Sequence, residues 1–356
     1  MLTGILAGLG AGALWGLVFL APRMTPGLSA VDLTAGRFIS FGAVSAVAML
    51  LALRTRRLPN VQQALAALGM SVLGFTGYYL LLVLAIRDAG TEMPSLIIGT
   101  IPLWMMLLGK PLGLSWKSLA PGMLLTAAGL ALMMLANSQS GELSQGIRAV
   151  NANSIANHTR HGIFQGAFQD ASQDGLHYWR GIAYAVAAML CWTVFGLMNS
   201  AWLKRHPGVN ATDWANWLGC VTGLGALVLW FATGSEVKVL LALDNISYLA
   251  IICIVTGIGS AWLATILWNV ASQRLSASLC GQLIVSETVF ALVYSYAWDR
   301  QWPGWLQLAA CILFLFGILA TIKAHAGHGD NSMTPPTTPP TAPSKRPCQT
   351  ETTNTP

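Results

Sequence analysis

Charged residues are scarce in this 356-residue chain. Asp, Glu, Lys and Arg make up only 9% of it, against about 25% in an ordinary soluble domain. Hydrophobic residues make up 54%, so we predict a polytopic membrane protein that is surrounded by the lipid bilayer. The formal net charge is +6. Because the basic residues lie between apolar runs, they report membrane topology, and we predict no nucleic-acid partner.

Motifs for ATP-driven or hydrolytic chemistry are also missing. The chain has no Gly-x-x-x-x-Gly-Lys-Ser/Thr phosphate loop, which argues against pumping driven by ATP. It has no nucleophile-elbow or zinc-protease motif, so we expect no enzyme activity and no cofactor. No Lys or Arg precedes the first apolar run, so a cleaved secretory signal is not expected.

Metal and disulfide sites are not expected either. The six cysteines include no Cys-x-x-Cys pair, and five of them fall one each in five successive apolar runs. This distribution predicts small buried residues. His158, His161 and His177 lie near Asp170 and Asp174 in a polar segment. Their spacing is irregular, so we interpret the segment as solvated and predict no metal site.

Ten apolar runs follow one another along the chain. Most match the ~20 residues that an α-helix needs to cross the hydrocarbon layer. They lack the alternation of a barrel strand, and helices satisfy their own backbone groups in lipid. The sequence therefore predicts an all-α polytopic membrane protein with ten transmembrane helices. The runs span residues 3–21, 31–53, 64–86, 92–109, 119–137, 179–201, 212–232, 248–270, 277–298 and 303–322.

The positions of Lys and Arg predict which helix ends face the cytoplasm. With the N-terminus inside, nine basic residues fall on the inner side and four on the outer side. Short cytoplasmic loops carry an excess of Lys and Arg, so we predict an inner (plasma) membrane protein with both termini cytoplasmic. The inner residues are Arg54, Arg56, Arg57, Lys110, Lys117, Lys204, Arg205, Arg274 and Lys323. The outer residues are Arg23, Arg87, Lys238 and Arg300.

Composition divides the chain into two halves, an insert and a tail. The insert, residues 138–178, is rich in Ser, Gln, Asn and Gly, and it separates the first five runs (1–137) from the last five (179–323). The predicted orientation places this insert outside the cytoplasm. Residues 324–356 are rich in Pro and Thr and cannot bury enough apolar surface to fold, so we predict a disordered cytoplasmic tail.

The two halves resemble each other weakly but in the same order. Trp15 in the first run matches Trp192 in the sixth, and residues 29–32 match residues 210–213. Each half contains five crossings, an odd number, so the two halves cross in opposite senses. Such a 5+5 inverted repeat is common in secondary transporters, which bind substrate near the midplane between the repeats.

Glu287 lies in the middle of the ninth run, deeper in an apolar run than any other carboxylate of the sequence. A charged group at mid-membrane costs about 2.5–3.5 kcal/mol on insertion scales, so it usually faces the interior of a bundle or a wet cavity. We therefore consider Glu287 a candidate proton-binding group or the partner of a cationic substrate. Alternatively, it only joins helices through hydrogen bonds.

Other polar residues within the runs leave two interpretations open. Arg37, early in the second run, either reaches the membrane interface along its stem or binds an anionic group inside the bundle. Gln282 and Ser286 precede Glu287 on the ninth run, and they either bind substrate or join helices.

Four aromatic residues within the runs are candidates for the walls of a binding site. Aromatic faces stack on flat or cationic substrates, although plain packing is the alternative for each of them. Trp15 and Trp192 stand out because the repeat matches them with each other. The four are Trp15, Trp192, Tyr78 and Trp262.

These features together resemble the drug/metabolite transporter superfamily, in its ten-helix EamA-like branch. The matching features are Trp15-Gly16 in helix one, Arg37-Phe38 in helix two, Pro102 in helix four and a Leu-Glu-Pro-like motif around Glu287 in helix nine. The resemblance covers about residues 2–322 apart from the insert. Thr288 stands where that motif has proline, and Lys110 and Asp299 replace a glutamate in the turns after helices four and nine.

The resemblance implies a secondary transporter that exports small organic metabolites or drugs by alternating access, and proton coupling fits a titratable Glu287. An importer or exchanger of the same fold is the first alternative. A non-transporting membrane scaffold or an intramembrane enzyme is a second, less favoured one. An enzyme would need clustered titratable residues within the runs, where Arg37 and Glu287 alone qualify.

Overall fold

The computed structural model describes residues 1–25, 28–52, 59–90, 92–155, 167–243, 246–300 and 302–332. Side chains are described in these ranges except at residues 92, 137–175 and 328–332. All regular secondary structure in the described ranges is helical, which agrees with the predicted all-α class.

Nine helices in the described ranges are long and apolar enough to cross a membrane. We number them in chain order together with one shorter apolar helix, α4. They are α1 Leu2–Met24, α2 Ala30–Ala52, α3 Val61–Ala89, α4 Met93–Leu108, α5 Trp116–Ile155, α6 Ala167–Arg205, α7 Ala211–Thr233, α8 Ile246–Arg274, α9 Ala277–Asp299 and α10 Trp305–Ser332. A short helix, Val237–Leu241, lies between α7 and α8.

Of the ten predicted transmembrane helices, nine are matched by helices of spanning length in the described ranges, and the fourth, α4, is shorter. This helix consists of two pieces, Glu92–Gly99 and Ile101–Leu108, with a turn at Thr100. The break lies just before Pro102, which has no backbone N–H to continue the hydrogen-bond ladder and whose ring crowds the preceding turn. The Thr100 hydroxyl donates to the backbone oxygen of Ile97 at 2.6 Å, and it satisfies a carbonyl group at the break.

α3 and α8 each contain a π-helical turn, at Val72–Thr76 and Gly257–Leu263. A π turn inserts an extra residue into an α-helix and frequently occurs at a functional site. The second turn begins at Gly257, where a Cβ atom would lie 2.6 Å from the backbone oxygen of Arg37 on α2. The absence of a side chain at Gly257 therefore lets α8 pack directly on the backbone that carries Arg37.

The helices cross closely at glycines. α2 and α7 meet at Gly42 and Gly223, where a Cβ atom on either residue would lie 2.7 Å from the Cα atom of the other. α1 packs on α9 through Gly12, where a Cβ atom would overlap the hydroxyl of Ser286. Between helices in lipid, close van der Waals packing at small residues supplies much of the attraction, because lipid is as apolar as the helices themselves.

The insert and the tail lie only partly within the described ranges. α5 and α6 continue as helices into the insert, up to Ile155 and from Ala167. α10 continues to Ser332, so a helix covers the first part of the predicted tail, and the Pro- and Thr-rich stretch beyond lies outside the described residues. His158 and His161 also lie outside them. Among the residues that could be searched, no three His, Cys, Asp or Glu side chains cluster as metal ligands would.

Candidate functional site

Glu287 lies on α9 where α1 packs directly over it. A Cβ atom on Gly12 would lie 3.1 Å from the backbone nitrogen of Glu287, and one on Gly16 would lie 3.1 Å from its backbone oxygen. The side chain is half-buried. Its carboxylate makes no hydrogen bond or ion pair with any residue that the structure describes. Within those residues, Glu287 therefore does not join helices through hydrogen bonds.

Arg37 on α2 lies within electrostatic range of the Glu287 carboxylate. Its Nε atom is buried without a hydrogen-bond partner among the described residues. The guanidinium carbon lies 4.8 Å from the ring centroid of Phe38. No direct ion pair joins Arg37 to Glu287 in the described structure, so two opposite charges face the interior without neutralising each other by contact.

Tyr78 on α3 lies within electrostatic range of both Arg37 and Glu287. It is half-buried, and its hydroxyl makes no hydrogen bond to the rest of the described chain. The next residue, Tyr79, donates to the backbone oxygen of Ala30 at 2.5 Å and fixes α3 to the start of α2. The fold therefore brings Tyr78 and the two charged residues into one region.

Three tryptophans form a cluster where α1, α6 and α8 meet. The ring centroids of Trp15 and Trp192 are 6.3 Å apart, and those of Trp15 and Trp268 are 5.4 Å apart. Trp192 and Trp268 complete the triangle at 6.0 Å. Trp268 is 2% exposed, whereas Trp15 and Trp192 are half-buried. Trp15 and Trp192, which occupy corresponding positions in the two halves of the sequence, are therefore in contact, and part of each ring stays exposed.

A row of aromatic rings connects this tryptophan cluster to Arg37. Trp192 contacts Phe195 with ring centroids 6.0 Å apart, and Phe195 contacts Phe75 at 5.5 Å. Phe75 contacts Phe38 at 5.9 Å, and Phe38 lies beneath the Arg37 guanidinium. These ring pairs are all close to edge-to-face, which is a favourable arrangement. The row thus links α6, α3 and α2 through the interior of the bundle.

Three predicted site residues instead use their polar groups within the helix packing. Gln282 is fully buried, and its Nε2 donates to the Thr126 hydroxyl on α5 at 2.9 Å. Trp262 Nε1 donates to Asn216 Oδ1 on α7 at 2.7 Å. Ser286 donates to a carbonyl of its own helix at 2.7 Å. This geometry favours helix joining for Gln282 and Trp262, whereas the Ser286 hydroxyl bonds within its own helix. Of the other five predicted residues, Arg37, Glu287 and Tyr78 lie within electrostatic range of one another, and Trp15 contacts Trp192.

The aromatic residues that connect the site were not predicted from the sequence: Trp268, Phe38 as a member of the row, Phe75 and Phe195. They come from four different helices, so no local pattern pairs them. A signal for Trp268 was nevertheless present, because the polar residues Thr265, Asn269 and Ser272 share its face of α8.

Asp32, at the start of α2, is 5% exposed and joins two helices. Its carboxylate accepts from Trp230 Nε1 at 3.0 Å, from the Ser235 backbone N–H at 2.9 Å and from the Ser235 hydroxyl at 2.6 Å. The Ser29 hydroxyl donates to it at 2.5 Å. A buried carboxylate with four donors is fully satisfied, so its role is to tie the start of α2 to the end of α7.

We expect Asp32→Asn to lower the free energy of unfolding by about 2 kcal/mol, because a neutral amide replaces the carboxylate that accepts charge-assisted hydrogen bonds from Trp230 and Ser235. Thermal unfolding of the purified protein in detergent measures this change. Asp299→Asn is the matched control, because its ion pair with Arg23 is 44% and 42% exposed and is worth less than about 1 kcal/mol. Equal destabilisation by the two substitutions would contradict the role of Asp32.

Comparison with known families agrees with the helical membrane fold. The model of the EamA-like transporter family matches residues 2–135 and 179–323. The chain belongs to the EamA-like transporter family. Membership confirms the resemblance drawn from the sequence, and it identifies the chain as a membrane transporter homologue for which small molecules and the bilayer are the expected partners. The segment between the two matched stretches corresponds to the insert.

A known relative and a solved structure extend the comparison along the chain. Inner membrane protein YtfF of Escherichia coli (strain K12) is 27% identical over 344 residues, which cover 91% of this chain and 96% of that protein. A crystal structure of another protein is similar to the EamA-like chain at a TM-score of 0.65 and 18% identity, covering 90% of this chain and 98% of the other. The latter similarity concerns the fold alone.

Proposed function

We propose that this EamA-like protein is a secondary transporter that exports small organic metabolites or drugs by alternating access, in exchange for protons. The observation that carries the proposal is the interior region where Arg37 and Glu287 lie within electrostatic range of each other without an ion pair among the described residues. Charged groups inside a membrane bundle are costly, and they mark substrate and ion pathways. An inner-membrane location is proposed from the relative YtfF, which is an inner membrane protein by name.

The pairing of helices supports an inverted 5+5 repeat as the basis of alternating access. The repeat matches α1–α5 with α6–α10 in order. The contact of α3 with α6 then corresponds to the contact of α8 with α1, and the contact of α1 with α9 corresponds to that of α6 with α4. α2 packs against its counterpart α7, and α5 packs against α10. Gly42 and Gly223 touch at the α2–α7 crossing. The offset between them along the sequence equals the offset between residues 29–32 and residues 210–213. Both π turns also fall on matched helices, α3 and α8.

The two charged residues give the proposed site two charge states. With a proton on Glu287, the carboxyl group is neutral and Arg37 is the remaining charge. After the proton leaves, the carboxylate balances Arg37 or holds a cationic group of the substrate. A proton and a cationic substrate group therefore compete for the same carboxylate, which is the condition for exchange. Trp15 and Trp192 bind the apolar part of the substrate through their free ring faces.

A growth screen followed by reconstitution tests the proposed activity. Cells that lack other efflux systems and express the protein should tolerate a subset of toxic compounds better than cells with the empty vector. One such compound is then added to proteoliposomes that contain a pH-sensitive dye. We expect the compound to move against the proton flux, so that its entry alkalinises the lumen. An unchanged luminal pH would argue against proton exchange, and accumulation of the compound inside cells would favour the importer.

We expect the insert to lie outside and both termini to lie in the cytoplasm, because basic residues concentrate on the opposite ends of the helices. Ser172→Cys, in a background without the native cysteines, should react with a membrane-impermeant thiol reagent added to intact cells. A cysteine in place of Lys323 is the control, and it should react only after the cells are opened. The reverse pattern would contradict the proposed orientation.

A further inference from the structure

α9 is packed unevenly along its length. Residues 278–286 are all buried, whereas none of residues 287–299 is buried. Each stretch covers more than two turns of about 3.6 residues, so the change affects every face of the helix. Glu287 is the first residue of the less buried stretch. Protein therefore surrounds α9 completely on the side of Glu287 where the helix begins, and only partly on the side where it ends.

Met105 on α4 fills a space between glycines in the fully packed part of the bundle. It is 0% exposed. A Cβ atom on Gly281 of α9 would lie 2.5 Å from the Met105 Cβ atom. A Cβ atom on Gly196 of α6 would lie 2.7 Å from the Met105 Cε atom. Both ends of the methionine side chain thus pack where a facing residue has no side chain, and contacts this close leave no room for water between the three helices.

The piece of α4 that carries Met105 is separate from the rest of that helix. The interruption at Thr100 divides Ile101–Leu108 from Glu92–Gly99. At the far end of the second piece, the Gly109 backbone oxygen accepts a hydrogen bond from the Ser278 backbone N–H at 3.1 Å. Residues at the ends of helices can absorb the change in backbone angles when a segment moves. The second piece can therefore move without the first.

The other half of the chain contains a corresponding contact. Gly196 follows Gly16 by 180 residues, close to the offset of 181 between residues 29–32 and residues 210–213. A Cβ atom on Gly16 of α1 would lie 3.0 Å from the Phe290 Cβ atom of α9. In the proposed inverted repeat, these two contacts belong to opposite sides of the substrate site. Phe290 is half-buried whereas Met105 is fully buried, so the two sides are not equally closed.

We propose that Met105, carried by the second piece of α4, is the gate that closes the substrate site on the side where α4 ends and α9 begins. In the proposed orientation this side is cytoplasmic, and the structure represents the state that is closed to the cytoplasm. Movement of Ile101–Leu108 about Thr100 withdraws Met105 from Gly196 and Gly281 and admits the substrate. Methionine is flexible and unbranched, so it can leave and re-enter this space. The proposal rests on the alternating access proposed above.

The reactivity of Cys280 tests the gate without any transport. Cys280 is 0% exposed, precedes Gly281 and belongs to the same buried cluster as Met105. Protein that keeps only this cysteine is purified in detergent and treated with a hydrophilic maleimide. Met105→Ala should raise the labelling rate roughly tenfold, because the closed state loses the side chain that seals it. An unchanged rate would overturn the proposal.

Met106→Ala is the matched control, because Met106 is also 0% exposed and the substitution removes the same atoms. We expect the Cys280 labelling rate of this variant to stay within about twofold of the wild-type rate. Equal increases in the two alanine variants would show general loosening of the bundle and would contradict a gate at Met105. Met105→Leu nearly conserves the volume of the side chain, so it should keep the slow labelling.

Gly196→Ala tests the same contact by the opposite steric change. The new methyl group would displace the Met105 Cε atom, so Cys280 should again react faster. Alanine favours helix over glycine by about 1 kcal/mol, so α6 itself is not weakened. Gly69→Ala is the comparison, because a Cβ atom there would meet nothing within 4 Å. Equal labelling of these two variants would show that the position of Met105 does not control access.

Transport separates a failure of the gate from a failure of the proposed function. In proteoliposomes, Met105→Ala should increase the downhill leak of substrate and lower its accumulation by a pH gradient. If the wild type moves no substrate, the proposed export is wrong, and Cys280 labelling still decides on the gate. If the wild type transports and Met105→Ala changes neither labelling nor leak, only the gate is wrong.

Discussion

Glu287→Gln is expected to abolish accumulation of substrate against a gradient while substrate exchange continues. The amide keeps the shape of the side chain but cannot bind and release a proton. A difference of one pH unit is worth about 1.4 kcal/mol for one exchanged proton, which supports roughly tenfold accumulation by the wild type. We expect a ratio near one for the variant. Uptake into proteoliposomes with and without the pH difference measures both quantities.

Glu236→Gln is the matched control, because Glu236 is exposed and precedes the short helix Val237–Leu241 outside the membrane spans. Glu236→Gln should leave both the gradient-driven accumulation and the exchange of substrate unchanged. Three outcomes of Glu287→Gln separate the interpretations of this residue. Loss of accumulation alone supports coupling, and loss of both modes for cationic substrates only supports direct binding. Unchanged gradient-driven accumulation would rule out Glu287 as the coupling residue.

Gly42→Ala is expected to destabilise the folded protein strongly. The new Cβ atom would lie 2.7 Å from the Cα atom of Gly223 and 3.2 Å from the backbone oxygen of Gly219. Backbone atoms cannot rotate away as a side chain can, so α2 and α7 must separate. The separation would disturb the packing of Phe41, which is fully buried beside the crossing. We expect a loss of about 3 kcal/mol in unfolding free energy.

Gly69→Ala gives the comparison for this prediction. Gly69 lies on α3, and a Cβ atom there would meet nothing within 4 Å. Alanine favours helix over glycine by about 1 kcal/mol, so this control should be neutral or stabilising. Unfolding of both variants by increasing SDS in mixed micelles, followed by circular dichroism, measures the difference. If Gly42→Ala is as stable as Gly69→Ala, the close crossing of α2 and α7 is wrong.

The helical class and most helix positions could be predicted because they depend on local composition. An apolar run of about twenty residues forms a spanning helix whatever lies beside it. Pro102 was visible as well, but its consequence was not. Proline bends some membrane helices and interrupts others, and the result depends on which neighbouring groups satisfy the freed backbone. At α4, the hydroxyl of Thr100 satisfies a carbonyl and allows the interruption.

The candidate site was predictable only residue by residue. Glu287 and Arg37 were selected because a charge inside an apolar run is costly wherever its helix packs. Gln282 and Trp262 were selected by similar reasoning, yet their polar groups bond to Thr126 and Asn216 on other helices. A sequence window shows that such a group needs a partner, but the partner belongs to a distant segment. The choice between helix joining and substrate binding therefore required the packed bundle.

By itself, the sequence determined that the chain crosses a membrane repeatedly, resembles a transporter family and carries an acid and a base within its apolar runs. The tertiary structure alone decided that Arg37 and Glu287 lie within electrostatic range of each other without an ion pair among the described residues, and that Trp268 contacts Trp15. The physical reason is that helix faces meet where glycines allow close approach, as Gly12 and Gly257 do here. Such meetings join segments far apart in the sequence, so no local pattern of residues specifies them.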